Sequence, residues 1–269
     1  MKHFIYFICL SLSFLYGQID TCITPIQKYT ITSKYLEEAR DHWVSLPMHY
    51  DSTKVYPVMY ILDAEWRFDL VRTVVYDLSG NKKMPGHIIV GIPNIDWKFK
   101  RGIDLTFSHS RTEYDGDTVD STWYNPRNSG GGKNFYSYLT KELIPQINSN
   151  YKTSDNVLVG HSYGGYFGGY ILTLNHPFSS IHIYDPAMWY SNGEVNTRLK
   201  EYGVPKQTTV KLFIGYQGKP TFHKEKIEQF TRLLAKHPQL KYQSKRYINE
   251  THNSLYLYSF LDAIEFIYQ

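Results

Sequence analysis

The run Val157-Leu158-Val159-Gly160-His161-Ser162-Tyr163-Gly164-Gly165 sets a serine among glycines, where an apolar stretch gives way to a helix-like segment. A strand entering G-x-S-x-G and leaving as a helix has the form of a nucleophile elbow, whose glycines clear space around a strained turn that lifts Oγ above the sheet edge. The turn also puts Ser162 at a helix N-terminus, where free N–H groups and the helix dipole favour developing negative charge. The chemistry this suits is nucleophilic attack on a carbonyl.

A hydroxyl at its ordinary pKa is a poor nucleophile and needs a positioned base. For an elbow serine the partners follow in the chain order serine, acid, histidine. Of the 11 histidines, His252 has the matching place, after the strand candidate Tyr242 to Ile248 and before the C-terminal helix candidate. His223 and His237 flank the preceding helix and are expected at the surface, and His161 is expected to pack with its ring turned away from Oγ. The acid has three readings. The usual place, the turn after the strand Lys211 to Tyr216, reads Gln217-Gly218-Lys219-Pro220-Thr221-Phe222 and holds no carboxylate. Asp185, directly after the strand Ser180 to Tyr184, is the first reading; Glu225 is the second, and a Ser162–His252 dyad without an acid is the third. An oxyanion hole needs two backbone donors. Tyr163 N–H supplies one, and an amide of Ala64 or Glu65, after the strand Val58 to Leu62, supplies the other.

The elements that must position these residues alternate between short β-branched runs and longer periodic segments. Strand candidates are 29–33, 42–46, 58–62, 88–91, 156–159, 180–184, 211–216 and 242–248, and helix candidates include 135–147, 163–175, 224–237 and 254–268. This is an α/β pattern with a mostly parallel central sheet and helices on both faces. Between Trp97 and Lys133 the periodicity fails, and a loop of that length is expected to overhang a site. It carries Arg101, Arg111 and Arg127 beside Trp97, Trp123 and Tyr124, so Arg101 and Trp123 are candidate substrate contacts. Cations among aromatics suit an anionic aromatic ester.

Composition narrows the classes further. The 269 residues carry a net charge of +4 with no basic run, which argues against nucleic acid or an anionic membrane surface as partner. The Gly-rich run Ser129 to Asn134 lacks phosphate-loop spacing, and Asp115, Asp117 and Asp120 lack the spacing of a calcium loop. No metal or organic cofactor is implied. Met1-Lys2-His3 followed by the apolar run Phe4 to Tyr16 and Gly17 has the form of a secretory signal peptide, too short to span a membrane. Residues 1–17 are thus expected to be a leader and 18–269 a single exported domain, secreted or periplasmic, with a small-molecule ester as partner.

Beyond the elbow, the chain resembles the esterase family of the α/β-hydrolase superfamily, which includes formylglutathione hydrolases, feruloyl and acetyl-xylan esterases, siderophore esterases and mycolyltransferases. The matching segments are Tyr56 to Asp63, Val90 to Asn94, Arg101 to Thr106, Glu142 to Pro145, Gly160 to Gly165 and Asp185 to Tyr190. The resemblance implies the α/β-hydrolase fold and a serine esterase, with acyl transfer or a non-catalytic aromatic cleft as the alternatives. The Asp185-Pro186-Ala187 segment resembles the acid-bearing strand end of secreted triacylglycerol lipases. Pro186 to Tyr190 is similar to the siderophore esterase branch and implies Trp189 as a substrate contact. Two departures stand out: Ala64 replaces a common glycine after Asp63, and Asp185 replaces a common serine.

Overall fold

A computed structural model describes residues 24–120, 125–206 and 209–268. The expected leader, Met1 to Gly17, and Trp123 lie outside the described residues. One eight-stranded sheet runs through the molecule, with strands β1 (Gln27–Ser33), β2 (Glu38–Ser45), β3 (Tyr56–Leu62), β4 (Ile88–Ile92), β5 (Thr153–His161), β6 (Ser180–Tyr184), β7 (Lys211–Tyr216) and β8 (Lys241–Arg246). Their order is β1-β2-β4-β3-β5-β6-β7-β8. Strand β2 pairs antiparallel with both β1 and β4, and every other pairing is parallel. All eight strands coincide with the sequence expectation to within a few residues.

Strands β3 and β4 carry unbroken apolar runs because helices cover both faces of the sheet there. Alternation sorts β3 cleanly: Val58, Tyr60 and Leu62 face one core, while Met59 and Ile61 face the other. The first core packs beneath α5 (Tyr163–Ile171), α6 (Glu194–Tyr202), α7 (Thr221–Leu234) and the stretch Gly132 to Asn150, in which α3 (Gly132–Tyr138) and α4 (Ile144–Asn150) flank a π-helical turn. The second packs beneath α1 (Ala64–Gly80) and α8 (Leu255–Tyr268). Among the described residues, no helix is long and apolar enough to cross a membrane.

The segment expected as a loop is more built than its composition suggests. It contains α2 (Lys100–Leu105), pinned to β2 by the buried Arg40–Asp104 ion pair at 2.6 Å. The glycines at its end form a close crossing rather than a flexible lead into α3. A Cβ on Gly132 would stand 2.8 Å from the carbonyl oxygen of Thr106, and Gly132 N–H donates to that same oxygen at 2.8 Å.

Candidate active site

Three neighbouring parallel strands end on a non-glycine residue with positive φ. Asp63 follows β3 at φ 55°, Ser162 follows β5 at φ 58° and Asp185 follows β6 at φ 40°. Such backbone costs on the order of 1–3 kcal/mol per residue and persists only where the surroundings fix it. For Ser162 the fixing is explicit. Its N–H donates to the Tyr184 carbonyl at 3.0 Å, and its own carbonyl accepts from Tyr166 N–H at 2.9 Å and Ala187 N–H at 3.0 Å. Only glycine fits at 160, where a Cβ would stand 2.3 Å from the Gly164 oxygen.

The crevice lies where the strand order reverses, between β3 with α1 on one face and β5 with α5 on the other. The first N–H groups of each helix have no carbonyl a turn before them. Tyr163 opens α5 and lines the same cavity as Ser162, whereas Ala64 opens α1 at the end of the neighbouring β3, with Glu65 next, and neither of these two is among the residues lining that cavity. Alanine at 64 costs nothing in backbone strain, because the positive φ belongs to Asp63 before it. The Glu65 carboxylate accepts from Asn94 N–H at 3.1 Å and from Asn94 Nδ2 at 2.8 Å.

Asp185 is fully buried and accepts three hydrogen bonds. Nδ1 of His252 donates to Oδ2 at 2.6 Å, Nε2 of His223 donates to Oδ1 at 3.0 Å, and Gln217 N–H donates to Oδ1 at 3.0 Å. Burial alone would push this carboxyl up, but the bonds from His223 and His252 hold it well below the usual carboxylate range. Glu225 is exposed on α7, two residues beyond His223. Of the two candidate carboxylates, it is Asp185 that the structure sets against His252.

His161 secures His252 from below. Its Nε2 donates to the His252 carbonyl at 2.7 Å, and the two rings lie 4.3 Å apart. Burial, with His252 and Arg67 nearby, lowers the His161 pKa to about 3.

Ser162, His252 and Asp185 line one cavity of about 430 Å³ together with Tyr163, Trp189, His223, Gln217, Lys219, Glu113 and Tyr114. Trp189 is among these lining residues, with its ring 6.0 Å from that of Tyr163. Glu113 and Tyr114 show that the segment after Trp97 does reach the site.

Two expectations are corrected. Arg101 does not present its charge to the cavity: its Nε and Nη2 donate to the two oxygens of Asp63 at 2.6 and 2.8 Å, and Nη2 also reaches the His161 carbonyl at 3.3 Å. A guanidinium satisfied by a buried carboxylate ties the ends of β3 and β5 together instead of awaiting a substrate anion. Likewise Arg111 spends two nitrogens on the Val119 carbonyl. The second correction is His223, expected at the surface and found only 3% exposed against Asp185. The signal was present, since 223, 227, 230 and 234 form one helical stripe whose other members are Ile, Phe and Leu.

A sheet in this order, an elbow serine and a histidine on a buried carboxylate define a serine hydrolase of the α/β-hydrolase fold. The family model described as "Putative esterase" matches residues 33–259. The chain belongs to that family of carboxylic ester hydrolases. Among solved structures it is similar to an IroE-like serine hydrolase from Shewanella oneidensis, at 30% identity and a TM-score of 0.81, covering 91% of this chain and 80% of that one. The BES protein from Bacillus cereus follows at 24% identity and a TM-score of 0.79, covering 94% of this chain and 98% of that one. The siderophore hydrolase EstB from Aspergillus nidulans, at 18% identity and a TM-score of 0.71, covers 90% of this chain and 95% of that one and shares its fold. A comparison with curated proteins gave no match.

Proposed function

We propose that the chain cleaves carboxylic esters through an acyl-enzyme on Ser162, with His252 as base, Asp185 as acid and the amides of Tyr163 and Ala64 or Glu65 as oxyanion donors. The observation that carries this reading is the 2.6 Å bond from Nδ1 of His252 to a buried carboxylate beside the elbow serine. With the Nδ1 proton committed there, the lone pair of Nε2 is free to take the Oγ proton as Oγ attacks the ester carbonyl. The carbonyl electrons move onto oxygen, where helix N-terminal amides receive the charge. Collapse breaks the bond to the alcohol oxygen, which leaves with the proton held on Nε2. Water then attacks the acyl carbonyl, His252 takes its proton and returns it to Oγ, and the acid departs.

The walls set by Tyr114, Tyr163 and Trp189 suit an ester carrying an aromatic ring, on the acyl or the alcohol side. Siderophore esters and aromatic acid esters of carbohydrates belong to that class. With Arg101 and Arg111 committed elsewhere, Lys219 and Glu113 are the opposite charges left on the cavity wall, so the recognition proposed is stacking rather than anion pairing. The leader-like N-terminus supports export, and Edman sequencing of the protein from the periplasm or medium of an expressing cell, starting near residue 18, tests it.

Turnover of p-nitrophenyl butyrate by the purified chain, abolished in Ser162→Ala, tests the chemistry. Turnover no faster than buffer, or a fully active Ser162→Ala, would remove the proposal. For the substrate class, Trp189→Ala is expected to lower kcat/KM about tenfold for an aromatic ester and less than about twofold for the acetate of the same alcohol. Equal losses on both esters would count against stacking.

A further inference from the structure

Helix α7 presents a buried stripe to the first core: Ile227, Phe230 and Leu234 are each fully buried in it. His223 continues that stripe one turn towards the site, at 3% exposure. An apolar residue there would extend the core at no polar cost. The histidine instead leaves its Nδ1 buried without a partner among the described residues, and an unsatisfied buried polar atom is destabilising. What offsets that cost is the other ring nitrogen, which donates to Asp185 at 3.0 Å.

The two oxygens of Asp185 are thereby divided. Among the described residues, Oδ2 serves His252 alone, while Oδ1 takes His223 and the Gln217 amide. A carboxylate at a strand end can rotate about its χ2, and a donor fixed on one oxygen sets the direction of the other. The arrangement also answers the missing carboxylate after β7: that turn contributes the Gln217 N–H and leads into α7, so the β7 end braces an acid carried by β6.

We infer that His223 is a positioning residue for ester cleavage, its Nε2–H holding the Asp185 carboxylate turned so that Oδ2 meets Nδ1 of His252. This rests on the catalytic reading proposed above, and Ser162→Ala separates the two. If that variant keeps wild-type turnover the catalytic reading is wrong, whereas if it is inactive the His223 variants report on this inference alone.

The test compares His223→Phe, which fills the space without a donor, with His223→Gln, whose amide Nε2–H can reach the same oxygen. His223→Phe is expected to lower kcat about 10- to 100-fold with KM within about twofold, and His223→Gln to recover to within about threefold of wild type. In an Asp185→Asn background the Phe substitution should cost less than about twofold more, since both changes disable one unit. A folded His223→Phe with kcat near wild type, a Gln variant no better than Phe, or an undiminished loss in the Asp185→Asn background would each overturn the inference. Nitrogen-15 NMR of the wild-type histidines keeps it testable should the Phe variant not fold. His223 must carry its proton on Nε2, and a ring protonated only on Nδ1 overturns the assignment.

Discussion

Asp63 and Asp185 occupy matching places in this fold and do opposite things. Each lies one residue past a buried parallel strand, each has positive φ, and each is 2% exposed or less. Burial would raise both carboxyls, and in both it is outweighed, so each is held below its ordinary pKa. The partners make the difference. Asp63 faces the permanent cation Arg101, helped by Asn94 Nδ2 at 2.9 Å, so its charge is locked and its service is to fix the β3 end beside the elbow. Asp185 faces two imidazoles, groups that can gain and give protons, so its charge is available to stabilise an imidazolium at His252. Location at the carboxyl edge of the sheet is common to both; only the one paired with imidazoles is placed to support a positive charge forming on a neighbouring ring, the role proposed for Asp185.

Exchanging each carboxylate for its amide is the most direct way to break this comparison. Asp185→Asn is expected to lower kcat by about 10³–10⁴, because an amide can hold His252 in the wrong tautomer, while the melting temperature moves little by comparison. Asp63→Asn should do the reverse. It leaves the Arg101 guanidinium with weakened compensation in a buried site, a change that costs about 3–5 kcal/mol of stability when a pair is broken outright and less where the amide oxygen still accepts. The double variant Asp63→Asn/Arg101→Met should regain part of that loss, since no uncompensated charge remains. Urea unfolding and steady-state kinetics on the same preparations decide the matter. A thermally unchanged Arg101→Met whose KM for an anionic ester rises tenfold would return Arg101 to the substrate side.

The two aspartates also show what the sequence could and could not disclose. Val58 to Leu62 was legible as a strand because a sheet covered on both faces demands continuous apolar runs, and Ser180 to Tyr184 through the β-branched Ile181 and Ile183 on either side of His182. The elbow was legible because glycine at 160 and 165 is a steric requirement, a Cβ at either meeting an atom within 2.8 Å, and His252 because chain order placed it. Asp63 gave no sign of its role, since its partner lies 38 residues away in a charged segment that reads as solvated. Positive φ at three non-glycine residues leaves no mark in residue type. Among the helices, α1 was missed for its β-branched Thr73-Val74-Val75, which weaken helix propensity, and α2 because six residues held by an ion pair to β2 owe their helicity to tertiary contact.

Acid titration sharpens the comparison at smaller scale. His42, His87 and His176 are lowered to about 4, and His161 and His182 to about 3, all through burial first. Their folded values lie below the ordinary 6.5, so the unfolded chain binds protons first as pH falls, and stability complete above that value erodes beneath it. The aspartates have the same sign but a lower window: their contribution is intact above the ordinary carboxylate range and is lost only as pH falls through their depressed values. Between pH 7.5 and 6 the loss should therefore come from histidine, at about 0.8 kcal/mol for each of the five. Equilibrium unfolding at those two pH values measures it, and a flat profile would mean that these rings are hydrated in the folded protein.

The smallest effect belongs to the carboxylate that the sequence offered as an alternative. Glu225 follows His223 by two positions on α7, about 200° around the helix, and its side chain is exposed while His223 is buried. A group on the opposite side of a helix from the Asp185 contact has no path to Nδ1 of His252, whose proton is already taken at 2.6 Å. Glu225→Gln should consequently leave kcat and KM within about twofold and stability within about 0.5 kcal/mol, as for a surface substitution. The pairing with Asp185→Asn gives this near-zero result its force. If Glu225→Gln were crippled while Asp185→Asn worked normally, the buried carboxylate would be a second structural brace like Asp63, and the difference between the two aspartates would collapse.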